Sequence, residues 1–178
     1  MAYLRALRLY RIGGQDAYAQ AVTELEAVLE IDAEYASAWT LLSSVRQNQA
    51  IIGAVDYVDG HEMARAYIER ALAIDPNYAY AISSRAWLAM SYERDYRAAA
   101  DYFRRALELA PNEASILGNL AVLARLLGRP DRAVELTNRS IARNPLGATS
   151  FINLSDQLYQ GHHFAEAAEA ARRALQLS

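Results

Sequence analysis

The chain of 178 residues contains no cysteine and no lysine, and only four prolines, three phenylalanines and three histidines. Each shortage closes off a class of chemistry. Without cysteine there is no disulfide framework, no thiolate nucleophile and no sulfur-ligated metal, and nothing follows about redox compartment. All 18 basic residues are arginine, set against 21 carboxylates, for a formal net charge of −3. So even a balance lacks the basic face that phosphate backbones require, and no nucleic-acid partner is expected. No apolar run reaches the roughly 18–20 residues that span a bilayer, and no basic-then-apolar leader opens the chain. No membrane association is expected, and the expected location is cytoplasmic. Arginine without lysine, amid abundant alanine, points to the GC-rich codon usage of a bacterium rather than to guanidinium chemistry.

The three histidines are His61, His162 and His163. The last two share an inter-helix turn with Glu166 nearby. Adjacent turn residues rarely converge on one ion, so a solvent-exposed pair is expected and no metal site is assigned. No Ser/His/Asp grouping is visible, and Gly13-Gly14 lacks the preceding strand that a phosphate loop needs. The chain is therefore expected to have no catalytic residue and no cofactor, and not to be an enzyme. Glu24, Glu26, Glu30, Glu62, Glu69, Glu108 and Glu135 fall among arginines at helical spacing, the pattern of a solvated face.

What is present is a repeat. Small-residue pairs seven apart recur at Ala21/Val28, Ala64/Ala71, Ala99/Ala106, Ala133/Ser140 and Ala167/Ala174, at intervals of 43, 35, 34 and 34 residues. A helical pattern with a period near 34 residues marks stacked helix pairs. Pro76, Pro111 and Pro145 each follow an apolar helix end, and each is expected to stop one helix and open the next. Ala33 takes the equivalent place in the first unit. Gly13-Gly14, Gly128 and Gly161, with Arg94-Asp95 in the third unit, mark the turn inside most units.

These residues resemble the tetratricopeptide repeat. The stretch 114–147 fits that unit without gaps through Leu117, Leu120, Ala121, Ala124, Ala133, Thr137, Ser140 and Pro145. The resemblance implies an all-α fold, an α-solenoid of about five helix-turn-helix units coiled into a right-handed superhelix, as one array over 1–178. The units are about 1–35, 36–78 (with an insertion near 49–60), 79–113, 114–147 and 148–178. Small residues let helices approach closely while large ones fill the gaps, so the stripe is core by default.

Two departures carry information. The second unit is nine residues long in excess, near Gln49–Gly60, and this stretch is more apolar than a solvated loop. Either the first helix runs on to about Ile52 with Val55, Tyr57 and Val58 tucked against a neighbour, or the stretch is a partner contact or lid. At the other end of the chain, Phe164, Ala168, Leu175 and Leu177 have no following unit to cover them, so either more protein follows or this end pairs with a second copy. The long second unit and the third, with Trp87, Tyr92, Tyr96 and Phe103, are similar to repeat modules attached to bacterial class III nucleotide cyclases, winged-helix activators and receptor-like kinases. That similarity implies a regulatory role in a larger signalling or transcription-regulatory protein.

By the same resemblance the first helix of each unit lines an inner groove that takes a peptide or protein segment. The groove positions of the second and third units include Thr40, Ser44, Gln47, Tyr80, Ser83, Trp87 and Met90. Those of the fourth and fifth include Asn119, Val122, Arg125, Asp156 and Tyr159. Tyr80, Trp87, Met90, Val122 and Tyr159 suit apolar anchors and Arg125 suits a carboxylate. Trp87 is equally suited to closing on its own unit. The basic two-carboxylate clamp of the family's chaperone-tail binders is missing, its places being held by Thr40, Ser44, Ser84, Ser115 and Asn119. The expected partner is a protein or peptide ligand; the alternative is a homodimer formed through the terminal repeats.

Overall fold

The computed structural model describes residues 1–177 and consists, over them, of ten helices without a strand. It divides into two compact units, 1–95 and 96–178, the boundary falling in the turn before the sixth helix. Unit 1 holds α1 (Ala2–Ile12), α2 (Gln15–Ile31), α3 (Ala36–Ile51), α4 (Tyr57–Ile74) and α5 (Ala79–Ser91). Unit 2 holds α6 (Tyr96–Leu109), α7 (Ala114–Leu126), α8 (Pro130–Arg143), α9 (Ala148–Gln160) and α10 (Phe164–Gln176). Within unit 1, α1 pairs with α2 and α3 with α4. Each second helix also packs on the next first helix, and α1, α3 and α5 touch in succession. Unit 2 repeats the scheme with α7/α8, α9/α10, α8 on α9 and α7 on α9.

The small-residue pairs make this packing close. Ala21, Ala64, Ala71, Ala99, Ala106, Ala133, Ser140, Ala167 and Ala174 are all buried. Larger side chains fill between them: Leu25, Leu42 and Val45 cluster in unit 1, and Leu117 and Leu136 in unit 2. Thr137 stands four residues after Ala133, where the preceding repeat has Phe103 four residues after Ala99. It is buried and donates its hydroxyl hydrogen to Gln157 Oε1 at 3.0 Å. A hydrogen bond from α8 to α9 thus replaces ring packing. Ser140 likewise donates to the Ala114 carbonyl at 2.7 Å.

The turns between hairpins repeat at the level of single hydrogen bonds. Tyr35 N–H donates to Asp32 O, Tyr78 to Asp75, Glu113 to Ala110 and Gly147 to Asn144. Pro76, Pro111 and Pro145 therefore sit at the second position of a four-residue turn, where a fixed φ is favourable and no N–H is needed. They do not open the following helix, which starts three residues later. Pro130 alone among the four prolines holds the first helical position, in α8. Ala33 takes the same turn without proline.

Inside each hairpin the turn needs a left-handed residue. Gly13 and Gly14 supply it in the first, Gly53 in the second, Arg94 in the third, Gly128 in the fourth and His162 in the fifth. Gly161 lies in the fifth turn as expected, with an ordinary φ of −80°. The helix-closing bond reaches back five residues at Ala54→Gln49, Arg129→Ala124 and His163→Leu158, but six at Asp95→Ala89. The extra residue of the third unit is absorbed there.

The nine extra residues of the second unit lengthen its hairpin. Compared with α7, α8 and their connection, α3 has 16 residues instead of 13, α4 has 18 instead of 14, and the link has five instead of three. Asp56 caps α4, its Oδ1 accepting from the Val58 and Asp59 amides at 2.8 and 3.0 Å. Gly60 is obligatory at the crossing: a Cβ there would lie 2.8 Å from both Ala50 Cβ and Val55 Cγ2. Val55 is tucked in as one reading expected, whereas Tyr57 and Val58 are about half exposed.

Candidate functional site

Three of the unit 1 positions assigned to the first-helix face are accessible and four are not. Ser44 and Trp87 are half-buried and Tyr80 is exposed, while Thr40, Gln47, Ser83 and Met90 are buried. Thr40 returns its hydroxyl hydrogen to the Ala36 carbonyl of its own helix at 2.9 Å. Gln47 donates to Ser43 Oγ at 3.2 Å, and its Oε1 has no partner among the described residues. These four side chains stabilise the packed layer rather than present groups to a ligand.

Around the accessible ones lie two phenol clusters that reading the sequence missed. At one end, Tyr3 and Tyr35 have ring centroids 5.1 Å apart, Tyr78 and Tyr80 5.6 Å, and Tyr78 shares a 2.8 Å hydrogen bond with Ser37. Burial, followed by the neighbouring phenols of Tyr78 and Tyr35, pushes the Tyr3 hydroxyl up to about 12. At the other end, Asn48 donates to Tyr18 Oη at 3.2 Å, and Tyr10 packs on Tyr18 at 6.3 Å. Burial raises the Tyr10 hydroxyl, opposed by hydrogen bonds with Asn48 and Ser44. The signal was present in the spacing: Tyr35/Tyr78 and Ser37/Tyr80 are each 43 residues apart, the interval of the repeat at that point.

In unit 2 the expected positions are more open. Asn119, Val122 and Arg125 on α7 are half-buried, and Asp156 and Tyr159 on α9 are exposed. Arg125 lies in the last turn of α7 and forms no ion pair among the described residues. Tyr159 stands edge-on to Phe164 at 5.4 Å. His162 and His163 are both exposed, and His163 Nδ1 lies 3.3 Å from a Glu166 oxygen. No group of three metal-ligating side chains occurs among the described residues, and no helix there is long and apolar enough to cross a membrane.

A third cluster fixes the extended hairpin. His61 is fully buried, and its Nδ1–H donates to the Tyr57 carbonyl at 2.7 Å, because a carbonyl can only accept. Its ring stacks on Tyr92 at 4.6 Å and an 11° interplanar angle, with Tyr57 at 4.4 Å. Beside it Arg65 on α4 and Arg85 on α5 donate to the two oxygens of Glu93 at 2.8 and 2.9 Å. This ties the long helix to the end of α5.

Paired helices repeating one turn geometry define an all-α scaffold of the tetratricopeptide type. A sequence model described as "Tetratricopeptide repeat" matches residues 90–148. No curated protein matches the chain. Among solved structures, a thermophilic tetratricopeptide protein of Thermus thermophilus superposes with a TM-score of 0.76 at 18% identity, over 99% of this chain and 90% of that one. PilF of Pseudomonas aeruginosa gives 0.65 at 21% identity over 99% and 75%. YrrB, described as a TPR protein with an unusual peptide-binding site, gives 0.54 at 18% identity over 99% and 84%. At these identities the shared property is the fold, an all-α solenoid of tetratricopeptide units.

Proposed function

We propose that the chain is a protein-interaction module that binds an extended peptide or protein segment on the first-helix faces of its units. The observation that carries this is the chemistry of the unit 1 face. Its accessible Ser44, Tyr80 and Trp87 are uncharged, aromatic or hydroxylic, which suits apolar anchors with hydrogen bonds to a peptide backbone. On unit 2, taken by itself, the uncommitted Arg125, beside half-buried Val122, suits a carboxylate of a segment bound there. YrrB's described peptide site supports the reading by analogy of fold. The wider role we propose is regulatory, within a larger bacterial signalling or transcription-regulatory protein in the cytoplasm, with no nucleic-acid or membrane contact by this array.

The test is a peptide-library titration followed by calorimetry. Trp87→Ala is expected to weaken a peptide bound on unit 1, and Arg125→Ala one bound on unit 2, about tenfold or more, with helicity by circular dichroism unchanged. Unaltered affinity in both would refute the reading. A second reading, self-association, is favoured by Phe164 and Leu175, which are exposed on α10, and by Leu4 and Ile12 on α1. A particle that stays monomeric by light scattering as concentration rises would remove it.

A further inference from the structure

The lengthened second hairpin has two sides of different character. Its inner side is closed by the Ala50–Gly60–Val55 approach and by the stack of His61 on Tyr92. Its outer side leaves Ile51 58%, Val58 53%, Ile52 49% and Tyr57 47% exposed, gathered where α3 ends and α4 begins. Within the segment that carries these four residues the charge has one sign. Between Ile51 and Met63 the ionised groups are Asp56, Asp59 and Glu62, all exposed, and the one histidine there is buried. Glu62 is met by Arg65 at 3.1 Å and Asp56 caps its helix, so Asp59 and part of Asp56 remain turned to solvent. Arg46, whose carbonyl lies beside Gly60, directs its guanidinium to Gln49 and Glu26.

We propose that this tip is a docking site for a basic amphipathic helix of a partner protein. Such a helix sets apolar side chains at three- and four-residue spacing against Ile51, Ile52, Tyr57 and Val58, and its flanking arginines or lysines meet Asp56 and Asp59. A second copy is disfavoured, because a two-fold pairing of tips sets Asp56 and Asp59 against the same two carboxylates. The anionic faces of nucleic acids and acidic lipids are repelled for the same reason. The surface is already rigid: the ring stack, the Gly60 contact and the Arg65–Glu93–Arg85 bridge hold it, so docking orders little. This site lies at the hairpin end and is separate from the first-helix faces.

The probe is a synthetic leucine–lysine amphipathic helix of about eighteen residues. It is compared with a leucine–glutamate helix and a serine–lysine helix of equal length, each titrated into the full chain with amide shifts followed by NMR. The leucine–lysine peptide is expected to bind roughly tenfold or more tightly than either control, with shifts centred on residues 51–63. Ile52→Ser/Val58→Ser is expected to reduce that affinity about tenfold. Asp59→Asn, at an exposed position, is expected to weaken binding and flatten its salt dependence. Trp87→Ala is expected to change nothing, which separates this site from the peptide face. Equal binding of the leucine–glutamate helix, shifts confined to other helices, or an inert double variant would overturn the proposal. So would a dimer in light scattering that Ile52→Ser/Val58→Ser abolishes.

Discussion

Gly60 and Gly118 are both helical and both buried, yet they should respond to alanine in opposite directions. At Gly60 the new methyl would meet Ala50 and Val55 at 2.8 Å. Gly60→Ala should therefore destabilise by about 1–3 kcal/mol, as overpacking outweighs the propensity gain. At Gly118 the nearest atom would be Ser140 Oγ at an ordinary 3.6 Å. Gly118→Ala should be neutral or stabilise by up to about 1 kcal/mol. Urea unfolding of both variants checks the pair. Tyr3 makes a pH prediction. Its folded value lies above its unfolded one, so the stability it contributes is intact below pH ~10 and is lost as pH rises toward ~12, where the unfolded phenol has already ionised. The loss, on the order of 1–2 kcal/mol after allowing for partial exposure, should be absent in Tyr3→Phe when the alkaline limb of thermal stability is measured.

At the scale of elements, the hairpin turns are the most informative. Arg94 and His162 occupy the left-handed conformation at φ 60° and 62°, which glycine takes without penalty in the first, second and fourth turns. Arg94→Gly and His162→Gly should therefore each stabilise by about 0.5–1 kcal/mol, read as a rise in melting temperature. Much of this level was legible beforehand: the prolines marked the inter-hairpin turns, and the nine surplus residues were placed in the right hairpin. Their fate was not legible. An apolar run of that length reads equally as helix or buried loop until Gly60 is seen to let two helices touch. Gly161 does lie in the fifth turn, but composition does not show that the left-handed conformation falls to His162 beside it.

For the molecule as a whole, equivalence between repeats is itself testable. Ala99→Leu and Ala133→Leu enlarge fully buried small positions in successive hairpins. Each should destabilise by about 1–3 kcal/mol, in calorimetry, by similar amounts. The proposed binding face was less legible than the fold. Thr40, Gln47, Ser83 and Met90 fall at face positions by counting along the repeat, and all four are buried. Counting gives the direction in which a side chain leaves its helix; whether a neighbour covers it depends on the sizes of side chains elsewhere. The phenol clusters escaped for the same reason, since each joins residues of two or three helices.

The order of amino acids by itself dictated helices, their pairing and the period at which they recur, because these depend on local hydrogen bonding and on small residues at set intervals. Which polar groups end up inside, where the longer hairpin leads, and which apolar atoms stay in contact with water were decided by tertiary packing. Those outcomes turn on contacts of a few ångströms between segments distant along the chain, and a periodic pattern carries no such distances.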